Sequence, residues 1–177
     1  MIRSAVISIL IAVLGALNAK AFADDGCVDF KWDVTQERAL FAGTATPLPA
    51  GMDLKSAPRV LLNHFYALQL MSQDHVTFAA TPGKKTPSGG SNAGIVTFKV
   101  PASGSYRVAI DMPFWIDVVS NGALVAAKDF QGQHGCSAPH KIVEFELVGT
   151  LPFVLQLSNA AADSVRLAIT AAPARKL

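Results

Sequence analysis

Alternation of apolar and polar residues through positions 94–130, GIVTFKVPASGSYRVAIDMPFWIDVVSNGALVAAKDF, constrains this chain more than any other feature. Val96, Phe98 and Val100 alternate with Thr97 and Lys99, and Tyr106, Val108, Ile110 and Met112 alternate with Arg107, Ala109 and Asp111. A period of two puts all the apolar side chains of such a segment on one face of a strand. Between the two runs, Pro101 presets φ and Gly104 tolerates φ > 0, which predicts a hairpin. A second hairpin is expected over residues 115–130, because Asn121-Gly122 is the dipeptide that a two-residue type I′ turn prefers. An antiparallel sheet follows, but no chemistry does.

The same alternation recurs along the rest of the chain. Tyr66, Leu68 and Leu70 form one run, Val76 and Phe78 another, and Val143, Phe145 and Leu147 alternate with Glu144 and Glu146. Phe153, Leu155 and Leu157, then Val165, Leu167 and Ile169, complete about nine expected strands. One short helix is expected from Asp33, a capping residue, to Gly43, with Val34, Leu40 and Phe41 on its apolar side. Residues 44–60 carry Pro47, Pro49 and Pro58 and are read as an irregular crossing segment. Residues 81–92, TPGKKTPSGGSN, hold no large apolar side chain and are expected to be a mobile loop. Strands apolar on one face and polar on the other require two stacked antiparallel sheets. The fold expected is therefore an all-β, antiparallel two-sheet β-sandwich of jelly-roll type, with an up-and-down barrel as the alternative.

Arg3 precedes an apolar run over residues 5–17, and Ala21-Phe-Ala23 offers a small-residue cleavage site, which together predict a secretory signal peptide over residues 1–23. The run is shorter than the roughly 20 residues a membrane span needs, and no later segment approaches that length. Removing 23 of the 177 residues leaves 154, enough for one domain: an extension over residues 24–60 packed on a sandwich over residues 61–177. Cleavage also removes Arg3 and Lys20, so the 15 basic residues fall to 13 and balance the 13 acidic ones. A neutral mature chain gives no reason to expect nucleic acid or an anionic membrane surface as partner. Export to the periplasm or beyond sets an oxidising compartment, and the two cysteines, Cys27 and Cys136, are expected to pair.

Five features of the C-terminal half carry a resemblance: Phe98-Lys-Val-Pro101, Gly104-Ser-Tyr106, Asp117, residues 149–157 and residues 165–169. In pattern they resemble the bacterial pre-peptidase C-terminal sandwich, in which an F-x-V-P strand end precedes a G-x-Y strand. The resemblance implies a non-catalytic module of the kind carried by secreted enzymes, some members of which bind carbohydrate or protein. The chain also resembles small exported bacterial proteins of unassigned function, some carrying a homogentisate dioxygenase label.

A non-haem iron site of that dioxygenase kind needs two histidines and a carboxylate converging on the metal. Among His64, His75, His134 and His140 no pair has helical i, i+4 spacing. The motif His134-Gly-Cys136-Ser-Ala-Pro-His140 has the Cys-x-x-x-His spacing of copper loops, but no methionine follows it and disulfide formation would consume the thiolate. There is no nucleophile elbow and no phosphate-binding glycine loop. Glu144 and Glu146 share one strand face and are read as solvated, and Asp111 and Asp117 fall short of the oxygen ligands that calcium requires. Aromatic residues offer more: Phe114-Trp115 opens a strand, and Trp115, Phe130 and Tyr106 are candidate sugar-stacking rings, with Trp115 as a core filler the competing reading. The reading reached is an exported, non-catalytic binding or envelope-interaction module with no catalytic residue, metal or cofactor. Its ligand site is expected at a rim of Phe114, Trp115, Asp117, His134 and His140, and its partner is expected to be cell-envelope polysaccharide or an exported protein. The competing class is a small metalloprotein or metal-dependent oxidoreductase using His134 and His140.

Overall fold

The computed structural model describes Cys27, residues 30–85 and residues 90–173; the signal segment and the middle of the 81–92 loop lie outside the described residues. The chain runs as β1 (Thr46–Pro49), β2 (Phe65–Gln69), β3 (Met71–Ser72), β4 (Asn92–Lys99), β5 (Gly104–Ile110), β6 (Trp115–Ser120), β7 (Ala123–Val125), β8 (Ala127–Gly132), β9 (Lys141–Leu147), β10 (Pro152–Ala160) and β11 (Ser164–Ala171), preceded by α1 (Thr35–Phe41). Two sheets stack, one of six strands in the order β1-β2-β11-β5-β9-β8 and one of five in the order β3-β4-β10-β6-β7. All pairs are antiparallel except β1 with β2. The fold is an all-β sandwich, as the alternation demands, and the chain changes sheet repeatedly instead of winding up and down.

The apolar stripes meet between the sheets. Leu68, Val108, Ile110, Phe145 and Leu167 from the larger sheet face Val96, Phe98, Val118, Phe153 and Leu155 from the smaller, and all are buried. Phe98 and Phe153 stack with ring centroids 5.4 Å apart at the centre. Burying side chains of this size contributes about 1.5–3 kcal/mol each, which is why the stripes decide the fold.

Several local expectations change once partners are known. The turn after Val100 does not make a hairpin: β4 pairs with β10 and β3, and β5 pairs with β11 and β9, so Pro101–Gly104 spans from one sheet to the other. A hairpin and an arch both satisfy a period of two, because alternation fixes which face is apolar and not which strand lies alongside. The second hairpin forms at Asn121-Gly122, with φ of 50° and 76°, but its return arm pairs only as far as Val125 before the chain crosses to β8. Residues 44–60 are not wholly irregular. They contribute β1, and Gly51, Pro58 and Val60 hydrogen-bond to Ile95 and Thr97 along β4. The run at Val76 and Phe78 forms no ladder. A single 3₁₀ turn, Gln73–His75, precedes it, and Ala80 then exchanges hydrogen bonds with the Gln156 side chain on the outside of the smaller sheet.

Crowding along β4 makes Gly94 obligatory. A Cβ there would sit 2.5 Å from the Ala50 Cβ and 2.9 Å from the Leu70 Cδ2. Gly94→Ala is expected to destabilise the protein by about 1–3 kcal/mol through overpacking, read as a lowered urea midpoint. An unchanged midpoint would refute the close approach.

Outside the larger sheet lies α1. Asp33 accepts a hydrogen bond from the Thr35 backbone N–H at 3.0 Å, and the Thr35 hydrogen bonds hold its carboxyl below the ordinary range. Val34 and Phe41 pack on Phe65, Ala109, Ile142 and Ala168, with the Phe41 and Phe65 rings 4.6 Å apart. This layer overturns the reading of Glu144 as solvated. Glu144 is 1 % exposed and pairs with Arg107 at 3.2 Å, while Glu146 beside it stays at the surface with Lys128. Arg107 also reaches Glu37 of α1 at 3.6 Å and donates to the Asp33 carbonyl at 2.7 Å, and the Thr170 hydroxyl donates to Glu37 at 2.8 Å.

Candidate functional site

At one edge the two sheets part. β6 pairs with β10 over Trp115–Val119, but β7 covers only Val118–Ser120, so among the described residues the start of β6 has no ladder partner on its other side. Across the gap lies β8, the last strand of the larger sheet, joined only to β9. Three clefts open here. One of about 100 Å³ runs between Trp115 and Ile116 on one side and Phe130, Lys141 and Val143 on the other. A second, of about 210 Å³, is bordered by Phe130, His134, His140 and Lys141, and a third, of about 370 Å³, by Trp32, Asp129 and Phe130. Phe130 borders all three and is 66 % exposed.

The rings and charges around the gap are held in place. Trp115 is half-buried, and its indole Nε1–H donates to Asp117 Oδ1 at 2.9 Å, while the Gly83 N–H donates to Asp117 Oδ2 at 3.0 Å. Each Asp117 oxygen thereby accepts one hydrogen bond. Lys141 Nζ donates to the Phe114 carbonyl at 3.0 Å and lies 5.4 Å from the Trp115 ring centroid, with Lys84 Nζ at 5.8 Å from the same ring. Burial, and then the neighbouring Lys84, hold the Lys141 ammonium below the ordinary lysine range, and Asp117 opposes them.

A pinned loop closes the rim. Cys136 is bonded to Cys27, both are buried, and their separation in sequence is 109 residues. Within the loop Gln133 N–H donates to the His140 carbonyl, His140 Nδ1 lies 3.1 Å from the Cys136 carbonyl, and the Ala138–Pro139 peptide is cis. The His134 and His140 rings stand edge to face, 6.2 Å between centroids.

Of the five expected rim residues, Trp115, His134 and His140 lie around the opening, whereas Phe114 and Asp117 do not present surface. Phe114 is buried in the core and contributes only its backbone carbonyl, and Asp117 serves as the acceptor that orients Trp115. Tyr106 is also buried, its hydroxyl donating to the Ala102 carbonyl, so it offers no ring to a ligand. Sequence reasoning passed over Lys141 altogether and noticed Lys84 as part of the 81–92 loop. The only signal available was that Lys141 follows His140 at a strand start. The 81–92 loop was expected to be mobile throughout, yet Gly83 docks on Asp117. Its absent side chain makes that possible, since a Cβ would stand 3.0 Å from Asp117 Oδ1.

As a metal centre the rim is poorly supplied. The Cys136 sulfur is committed to the disulfide, and among the described residues no group of three or more His, Cys, Asp or Glu converges. Asp111 is likewise engaged, with Arg166 at 2.8 Å. Among the described residues no helix is long and apolar enough to cross a membrane. No protein-family model matches the chain, and comparison with curated proteins finds no match.

Proposed function

We propose that this protein is an exported, non-catalytic binding module that takes a saccharide of the cell envelope at the rim around Phe130. The observation that carries the reading is the placement of Phe130 itself: a flat ring two-thirds exposed, bordering three clefts, beside an oriented indole. Single exposed apolar side chains are common on protein surfaces, and what distinguishes Phe130 is that it borders three adjoining clefts. The apolar C–H face of a pyranose fits such a ring, and a pinned loop limits the ordering cost of binding. The signal segment and the disulfide support export. The resemblance to pre-peptidase C-terminal sandwiches points the same way.

The test is retention on immobilised envelope polysaccharide, followed by titration of the wild type and of Phe130→Ala. Because Phe130 is at the surface, the variant is expected to fold with unchanged thermal stability and to lose at least about tenfold in affinity. Equal affinity in the two proteins sinks the site, and no retention of wild type sinks the function. The competing metalloprotein reading predicts stoichiometric iron, copper or zinc in the purified protein, which elemental analysis reads directly.

A further inference from the structure

Three basic side chains among the described residues are ion-paired. Arg107, Lys128 and Arg166 are each ion-paired with a carboxylate within 4 Å: Arg107 with Glu37 and Glu144, Lys128 with Glu144 and Glu146, and Arg166 with Asp111. Among the described residues Lys84 and Lys141, like several other surface cations, have no carboxylate within 4 Å, and what sets these two apart is that they approach the same indole from positions 57 residues apart in sequence. Lys141 is half-buried, and among the described residues its ammonium donates to the Phe114 carbonyl, which leaves hydrogens for a further acceptor. Lys84 is exposed and Lys141 half-buried, and two like charges held within 6 Å of one ring are a candidate for function. The acid whose charge acts on Lys141, Asp117, is buried and already accepts from Trp115 and Gly83. Asp129 lies in the third cleft, on the far side of Phe130, where its carboxylate accepts from the Phe130 N–H at 2.8 Å.

We infer that the ligand of this rim is an acidic saccharide, whose ring lies on Phe130 and whose carboxylate or sulfate lies toward Lys141 and Lys84. The inference rests on the saccharide reading above and adds the charge of the sugar. Lys141 joins the two recognition elements, because it borders both the Trp115–Phe130 cleft and the His134–His140 cleft. An anion placed there would relieve the Lys84–Lys141 repulsion and gain a charge-assisted hydrogen bond in a site that water only partly screens. A peptide rich in acidic residues satisfies the lysines but not the flat ring, so the saccharide is the better fit to the whole rim.

The test compares oligogalacturonate and oligomannuronate with neutral galacto- and manno-oligosaccharides of equal length, and with oligoglutamate, by titration calorimetry at low and moderate salt. At least one of the two acidic oligosaccharides is expected to bind at least about tenfold more tightly than its neutral counterpart, with the difference shrinking as salt rises. Lys84→Gln and Lys141→Gln should each reduce that preference several-fold, and Lys84, being exposed, can be replaced without risk to the fold. Phe130→Ala should weaken acidic and neutral sugars alike. Equal affinity for acidic and neutral sugars, with both lost in Phe130→Ala, overturns the inference while leaving the saccharide site standing. Oligoglutamate binding as tightly as the best oligouronate, and indifferent to Phe130, overturns it in favour of an acidic protein partner. Failure of every saccharide to bind overturns both readings together.

Discussion

Arg107→Met is expected to destabilise the protein by about 3–5 kcal/mol, the range for removing one partner of a buried ion pair. Arg107 is 4 % exposed and stands between two carboxylates that are each 1 % exposed, Glu37 and Glu144. It is one of the groups that join α1 to the sheet, through Glu37 at 3.6 Å and the Asp33 carbonyl at 2.7 Å on one side and Glu144 at 3.2 Å on the other. The Trp32 ring covers its guanidinium at 4.6 Å. Methionine keeps most of the volume and removes the charge, so the loss measures uncompensated carboxylates more than a cavity. Adding Glu37→Gln and Glu144→Gln to Arg107→Met should recover a large part of the stability, because the buried carboxylates are then neutral amides and the remaining charge, Lys128, is partly exposed and keeps Glu146 as its partner. Urea unfolding followed by tryptophan fluorescence gives both numbers. A loss below about 1 kcal/mol for the single variant, a value typical of exposed pairs, would mean that α1 does not seal this cluster from water.

Replacing both Cys27 and Cys136 by serine is expected to lower stability by up to about 4–5 kcal/mol, since the bridge closes a loop of 109 residues and restricts the unfolded chain accordingly. A second effect is local. Cys136 pins the loop that carries His134 and His140, and Cys27 ties the segment before α1 to that loop. Without the bond the loop must be ordered by the ligand itself, so affinity at the rim should fall even at temperatures where the variant remains folded. Denaturant titration with and without reductant, paired with saccharide titration of the folded variant, separates the two effects. If stability and affinity both stay at the wild-type level, the bridge neither restrains the unfolded chain nor organises the rim.

What sequence determined by itself was local: the strand character of β4, β5, β6, β9, β10 and β11, the face of each that is apolar, and the Asn121-Gly122 turn. These follow from backbone sterics and a period of two, which need no knowledge of neighbours. The Cys27–Cys136 bond was equally legible, because a lone pair of cysteines leaves no choice of partner. Tertiary structure alone decided the rest. Whether the turn after Val100 made a hairpin or an arch depended on which strands lay beside β4 and β5, and alternation is silent on that. Glu144 was placed on the outer face by its position, but that face is dry there because α1, a hundred residues earlier in the chain, lies on it. At the rim the aromatic residues were visible as a class, while the sorting of buried Phe114 and Tyr106 from exposed Phe130 came from where β7 stops and the sheets part. Lys84 and Lys141 carry no shared motif. Their convergence on Trp115 comes from long-range pairing, a loop docked through Gly83 and a strand opened after His140, and no local window of sequence contains both.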